Sequence, residues 1–211
     1  MAISAFVVRV PAAEPLVGDL RARFDATVAL GVPAHITLLV PFMAPTDITP
    51  AVLALARQRL ANFAPFRFSL GTVGRFPETA YLAPEPTAPF IAMTRALAAA
   101  FPRFPPYGGE HPDIVPHLSV AHGNADDAAT AAVELQQRLD ALGAVQAECD
   151  AVVLLENSTG RWATMHVFDL VPPAGDGTPV SLVDFMQRSP LVGADDVVFE
   201  RDTSLTRKTD H

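Results

Sequence analysis

The chain has 211 residues, half of them hydrophobic, and a formal net charge of −8. No apolar run approaches the roughly 18–20 residues of a membrane span, the lone Cys149 cannot close an internal disulfide, and no Cys/His spacing suggests structural zinc. The acidic balance disfavours long polyanions such as a DNA duplex, whose binding rests on many Lys/Arg–phosphate contacts, and leaves small nucleotides or RNA ends as the nucleic-acid ligands to expect.

The N-terminus lacks a basic segment and enters a strand at about Ile3–Val10, which argues against a signal peptide and makes a bacterial cytoplasm the expected compartment. A helical pattern follows through Leu16, Leu20, Phe24 and Leu30. A strand from His35 to Phe42 comes next. Asp47 or Thr49 then caps a helix carrying Val52, Leu53, Leu55, Ala56 and Leu60, with Pro50 in its first turn. Two strand-like runs, Phe66–Phe76 and Thr79–Ala83, turn at Pro77-Glu78. A helix covers about Pro89–Phe101, and a Pro/Gly-rich loop leads to a second strand around His117. Asp126-Asp127 begin a helix that ends near Gly143. Strands at Gln146–Glu156 and Arg161–Val171 complete this part, separated by the turn Asn157–Gly160.

One pattern occurs twice. Ala34-His35-Ile36-Thr37-Leu38 returns 82 residues later as Pro116-His117-Leu118-Ser119-Val120. Alternation along a strand puts His35 with Thr37, and His117 with Ser119, on one face, with the apolar residues on the other. The order motif strand, helix, strand, strand also recurs: His35/His117, Phe66/Ala147 and Leu82/Thr164 are 81 or 82 residues apart. This spacing predicts a duplicated α+β unit with the motif strands side by side across a groove.

Two imidazoles and two hydroxyls around one point make a cradle for a phosphate. One neutral histidine accepts a proton from the attacking group and a protonated one donates to the leaving oxygen. The hydroxyls of Thr37 and Ser119 donate to non-bridging oxygens. Neither a metal nor a cofactor is needed for this chemistry, and a metal held by His35 and His117 would lack an evident third ligand. Three other readings stay open: buried strand histidines, a non-catalytic nucleotide- or RNA-binding module using the same groove, and a protein that acts through its tail. Tyr81 and Trp162, on what read as corresponding strands, are candidates for stacking on a base. Phe42 is a candidate for flanking the groove, and Arg75 and Arg161 for contacting phosphate. His111 and His122 flank the second motif without a hydroxyl partner of their own and read as loop residues or as supports behind the site, and His166 as structural.

The paired His-x-Thr/Ser motifs, about eighty residues apart in a duplicated unit spanning residues 1–172, resemble the 2H phosphoesterase superfamily, in particular its bacterial 2′-5′ RNA ligase-like branch. The resemblance implies a bilobal α+β fold, two mainly antiparallel sheets with flanking helices around a central groove. It also implies metal-independent chemistry on 2′,3′-cyclic phosphate RNA ends, 2′-5′ linkages or related cyclic nucleotides. Carried onto this sequence, it makes His35 and His117 the acid–base pair and Thr37 and Ser119 the phosphate binders. A typical 2′-phosphate product would make His117 the base and His35 the acid.

After Pro172-Pro173 the run Ala174–Pro179 has linker composition. Ser181–Gly193 and the charged stretch around Phe199–Asp202 are similar to the toxin-binding C-termini of Phd-like antitoxins, which implies a protein partner for residues 173–211.

Overall fold

The computed structural model describes residues 2–110 and 113–171; the expectations for His111 and for the tail lie outside them. The elements are β1 (Ser4–Arg9), α1 (Glu14–Phe24), β2 (His35–Phe42), α2 (Pro50–Leu60), β3 (Phe66–Phe76), β4 (Thr79–Glu85), α3 (Ala88–Ala100), β5 (Leu118–His122), α4 (Ala125–Leu142), β6 (Val145–Cys149), β7 (Ala151–Glu156) and β8 (Ala163–Asp169). Among the described residues these strands form two four-stranded sheets, ordered β2-β1-β7-β8 and β5-β4-β3-β6, antiparallel throughout. The fold is α+β, with two antiparallel sheets, as the motifs imply.

Local chemistry accounts for the helix boundaries. Thr49, not Asp47, caps α2 by accepting from the Val52 N–H, with Pro50 at the first helical position where its missing N–H costs nothing. Asn124 caps α4 through the Asp127 N–H, and Gly143, at φ 80°, ends it. Helix α1 stops earlier than its apolar period suggests. Asp25 is extended, and its carboxylate accepts from the Thr27 N–H, so residues 26–30 wind as a tighter turn closed by left-handed Gly31.

Two expectations about the strands need correction. The run 146–156 is not one strand: it breaks at Asp150, placing β6 and β7 in different sheets. Tyr81 and Trp162 do not occupy equivalent strands either. Tyr81 lies on β4, next to the motif strand β5, whereas Trp162 precedes β8 at the far edge of the other sheet. Each sheet draws strands from both halves of the chain, so sequence order and sheet position do not match.

The core lies between the sheets and helices. Phe6 and Val8 of β1, Ile36 and Leu38 of β2, Leu118 and Val120 of β5 and Leu154 of β7 all enter it. Phe42 is also buried there, its ring 4.9 Å from Phe6, 5.0 Å from Phe101 and 5.1 Å from Phe104, so it does not flank the groove. The opposite face of the first sheet carries Ala5, Val7, Val153 and Leu155 as a smaller cluster covered by Val40 and Trp162.

Candidate active site

The two motif strands are edge strands, β2 of one sheet and β5 of the other, and they touch. Along β2, Ile36 and Leu38 are buried while His35 and Thr37 are only partly so, and along β5 Leu118 and Val120 are buried while Ser119 is partly exposed. The alternation read from the sequence therefore holds in both strands. Thr37 pairs with Val7 of β1, and Ser119 with Tyr81 of β4. His117 is the residue immediately before β5.

The two imidazoles are held in the same way. His35 Nδ1 lies 2.8 Å from the Pro33 carbonyl oxygen, and His117 Nδ1 lies 2.7 Å from that of Val115. A carbonyl only accepts, so in each neutral ring Nδ1 carries the hydrogen and Nε2 keeps its lone pair. Burial lowers the proton affinity of both. His35 is brought down to about 4, with Arg21 and His117 adding to the effect and the Pro33 bond and Asp25 opposing it. His117 is lowered too, chiefly by burial and then by the neighbouring His122, against the Val115 bond.

The surroundings of the two histidines differ. His35 and Thr37 line a cavity of about 130 Å³ with Thr27, Leu155 and Trp162. His117 stands among aromatic rings: Phe76 at 5.1 Å edge-on, Tyr81 at 5.2 Å, and Tyr107 at 6.3 Å and nearly parallel. Phe76 and Tyr107 have no counterpart in the sequence reading. Tyr107 has φ 53° between Pro106 and two left-handed glycines, a backbone region that side chains other than glycine seldom occupy. Burial pushes its phenol up to about 12, so it stays protonated.

The proposed phosphate contacts have other partners. Arg75 donates to the Ala125 carbonyl at the start of α4, and Arg161 to the Ala29 carbonyl. His122 Nδ1 bonds the Thr79 hydroxyl at 2.9 Å, and His166 Nε2 accepts from Arg57 at 2.9 Å. Among the described residues no group of three or more His, Cys, Asp or Glu side chains could hold a metal ion, and no helix is long and apolar enough to cross a membrane.

Comparison with known proteins gives this arrangement its class. The model of the 2′-5′ RNA ligase superfamily matches residues 8–161, and the chain belongs to that family, the 2H phosphoesterases. Among solved structures it is similar to TT0787 of Thermus thermophilus (18% identity, TM-score 0.51, covering 80% of this chain and 97% of that one). It is also similar to E. coli LigT complexed with 3′-AMP (14%, 0.52, 81% and 98%) and to a protein described as a phosphoesterase (15%, 0.53, 81% and 98%). At these identities the likeness is one of fold. No curated protein sequence matches.

Proposed function

We propose that this protein is a metal-independent phosphoesterase that opens 2′,3′-cyclic phosphates at RNA ends, or acts on 2′-5′ linkages or related cyclic nucleotides, with His35 and His117 as its acid–base pair. The observation that carries the reading is the matched Nδ1–carbonyl bond at the head of two adjoining edge strands, which among the described residues leaves Nε2 of each ring able to exchange a proton. LigT complexed with 3′-AMP and with NADP+ lends support to a nucleotide ligand.

With no anion beside them, both imidazoles are neutral at neutral pH. A bound phosphate anion favours the imidazolium form and so supplies the acid partner. His117 Nε2 takes a proton from water as its oxygen bonds to phosphorus. The bond from phosphorus to the 3′-oxygen breaks, and that oxygen takes the proton held on His35 Nε2, leaving a 2′-phosphate. The weak proton affinity of His35 makes it a strong donor once charged. Thr37 and Ser119 donate to the non-bridging oxygens, where a fixed dipole contributes most in a partly buried groove. Trp162 and Tyr81 provide flat apolar surface for a base.

The test is hydrolysis of 2′,3′-cyclic nucleotides and of RNA ending in a cyclic phosphate, with EDTA present. Turnover lost in both His35→Ala and His117→Ala supports the assignment. Activity that survives either change, or that disappears with chelation, counts against it. Binding without turnover, unaffected by replacing either histidine with Gln, would favour a binding module.

A further inference from the structure

Beneath His35 lies a group of charges that the acid–base scheme does not use. Helix α1 is seated by Leu16, Val17 and Leu20, and Arg21 is buried with them at 2% exposure. The Arg21 guanidinium donates to the Val32 carbonyl at 3.1 Å and to the Asp25 carboxylate at 3.3 Å, with the Glu14 carboxylate 3.7 Å away. Glu14 in turn accepts from the Ala34 N–H at 2.8 Å. These two contacts bracket Pro33, whose carbonyl holds His35 Nδ1.

The same group also touches the rest of the site. Asp25 accepts from the Thr27 N–H and hydroxyl, and Thr27 lines the cavity with His35. The Asp25 backbone bridges to His122, the last residue of β5. One cluster on and just beyond α1 thus reaches the entry to the first motif and the end of the strand carrying Ser119. A buried ion pair is a weak source of stability, and apolar residues of equal volume often serve as well or better. Here the pair is present even though, among the described residues, Arg21 Nε has no hydrogen-bond partner.

We propose that Arg21 is a positioning residue. With Glu14 and Asp25 it fixes residues 32–34 and, through the Pro33 carbonyl, the tautomer and aim of the His35 imidazole. The inference rests on His35 being one of the acting pair. His35 faces the Arg21 cation of α1, the Asp25 carboxylate just beyond that helix and the His117 ring before β5, so changes in this group also reach its titration.

The experiment uses the full chain carrying Arg21→Met with Asp25→Asn, which removes both buried charges and leaves neither unpaired. Thermal unfolding establishes that the variant is folded. Two readouts follow: kcat and KM on a 2′,3′-cyclic nucleotide, and long-range ¹H–¹⁵N correlation of the His35 ring. We expect kcat to fall about tenfold to a hundredfold with KM little changed, and the His35 ring to pass from one Nδ1–H tautomer to a mixture. A folded variant with unaltered kcat and unaltered ring signals overturns the proposal. Arg21→Lys, which keeps the charge but loses the planar fork, is read in the same way should the double variant unfold. If the unsubstituted protein turns over no such substrate, the acid–base scheme fails, and the ring spectrum alone decides the role of Arg21.

Discussion

Gly74 and Tyr81 face each other in register on β3 and β4, and the Tyr81 ring lies where a side chain at position 74 would stand. A β-carbon there would overlap the ring at the edge nearest its hydroxyl. The bare backbone at 74 is what lets this ring settle 4.5 Å from Phe76 and 5.2 Å from His117. Gly74→Ala should therefore displace Tyr81 while leaving the fold intact. The expected result is a severalfold loss of turnover with a modest fall in melting temperature, and Tyr81→Ala should largely reproduce the kinetic part. Steady-state kinetics and thermal unfolding of both variants check this.

The hydroxyls should matter less than the imidazoles. In the proposed scheme, loss of either histidine removes a proton transfer, an effect of about 10² to 10⁴ in rate. Thr37→Val and Ser119→Ala each remove one donor to the phosphate, and both should lower kcat by about 10². Equal rates in the parent and Thr37→Val would take Thr37 out of the cradle.

Stability should depend on pH through His35. Its proton affinity in the folded chain is depressed to about 4 from an ordinary value of 6.5, so between those values the unfolded chain binds more protons. The contribution is fully present above about pH 6.5 and is lost as pH falls toward 4. The span corresponds to about 3 kcal/mol. Denaturant unfolding of the parent and of His35→Gln across this range should give curves that diverge on the acid side, with Gln the flatter.

The bridge from α4 to α1 should show as a small acid-sensitive term. Arg138 meets both oxygens of Asp19 at 2.6 Å and the Leu16 carbonyl at 2.7 Å. The Arg138 bonds hold the Asp19 carboxyl down at about 2, so its contribution persists above the ordinary value of 3.8 and fades as pH drops toward 2. Asp19 is well exposed, and solvent limits the pair to about 1 kcal/mol or less. Asp19→Asn should lower the melting temperature by a few degrees at neutral pH and by less at pH 2.

The core should respond more strongly. Phe6 is fully buried among Phe42, Phe101 and Phe168. Phe6→Ala should cost about 3–5 kcal/mol, read by chemical denaturation.

The motif strands were legible because alternation is a local signal: Ile36, Leu38, Leu118 and Val120 had one face to fill, which left His35, Thr37 and Ser119 on the other. The helix caps at Thr49 and Gly143 were legible for the same reason. Sheet partnership was not. The apolar run across Asp150 reads as one strand, because the bend that sends Ala151 to the other sheet leaves no mark in hydropathy. Tyr107 was hidden in a Pro/Gly loop whose left-handed turn depends on what packs around it. Arg21 did carry a trace. Glu14, Arg21 and Asp25 recur at spacings of seven and four, which lines the charges up along one side of the helix, beside the face that Leu16, Val17 and Leu20 bury.

The exchange of strands between the sheets has a consequence for how the molecule comes into being. A chain synthesised only as far as α3 contains β1 with β2 and β3 with β4, but it lacks β7 beside β1, β5 beside β4 and β6 beside β3. Each pair then has an open edge and an apolar face without its cover. The second imidazole has not yet been made, and the sheet that carries the first is completed only when β8 arrives. During synthesis, therefore, the pocket around the histidines is among the last parts of this unit to take shape.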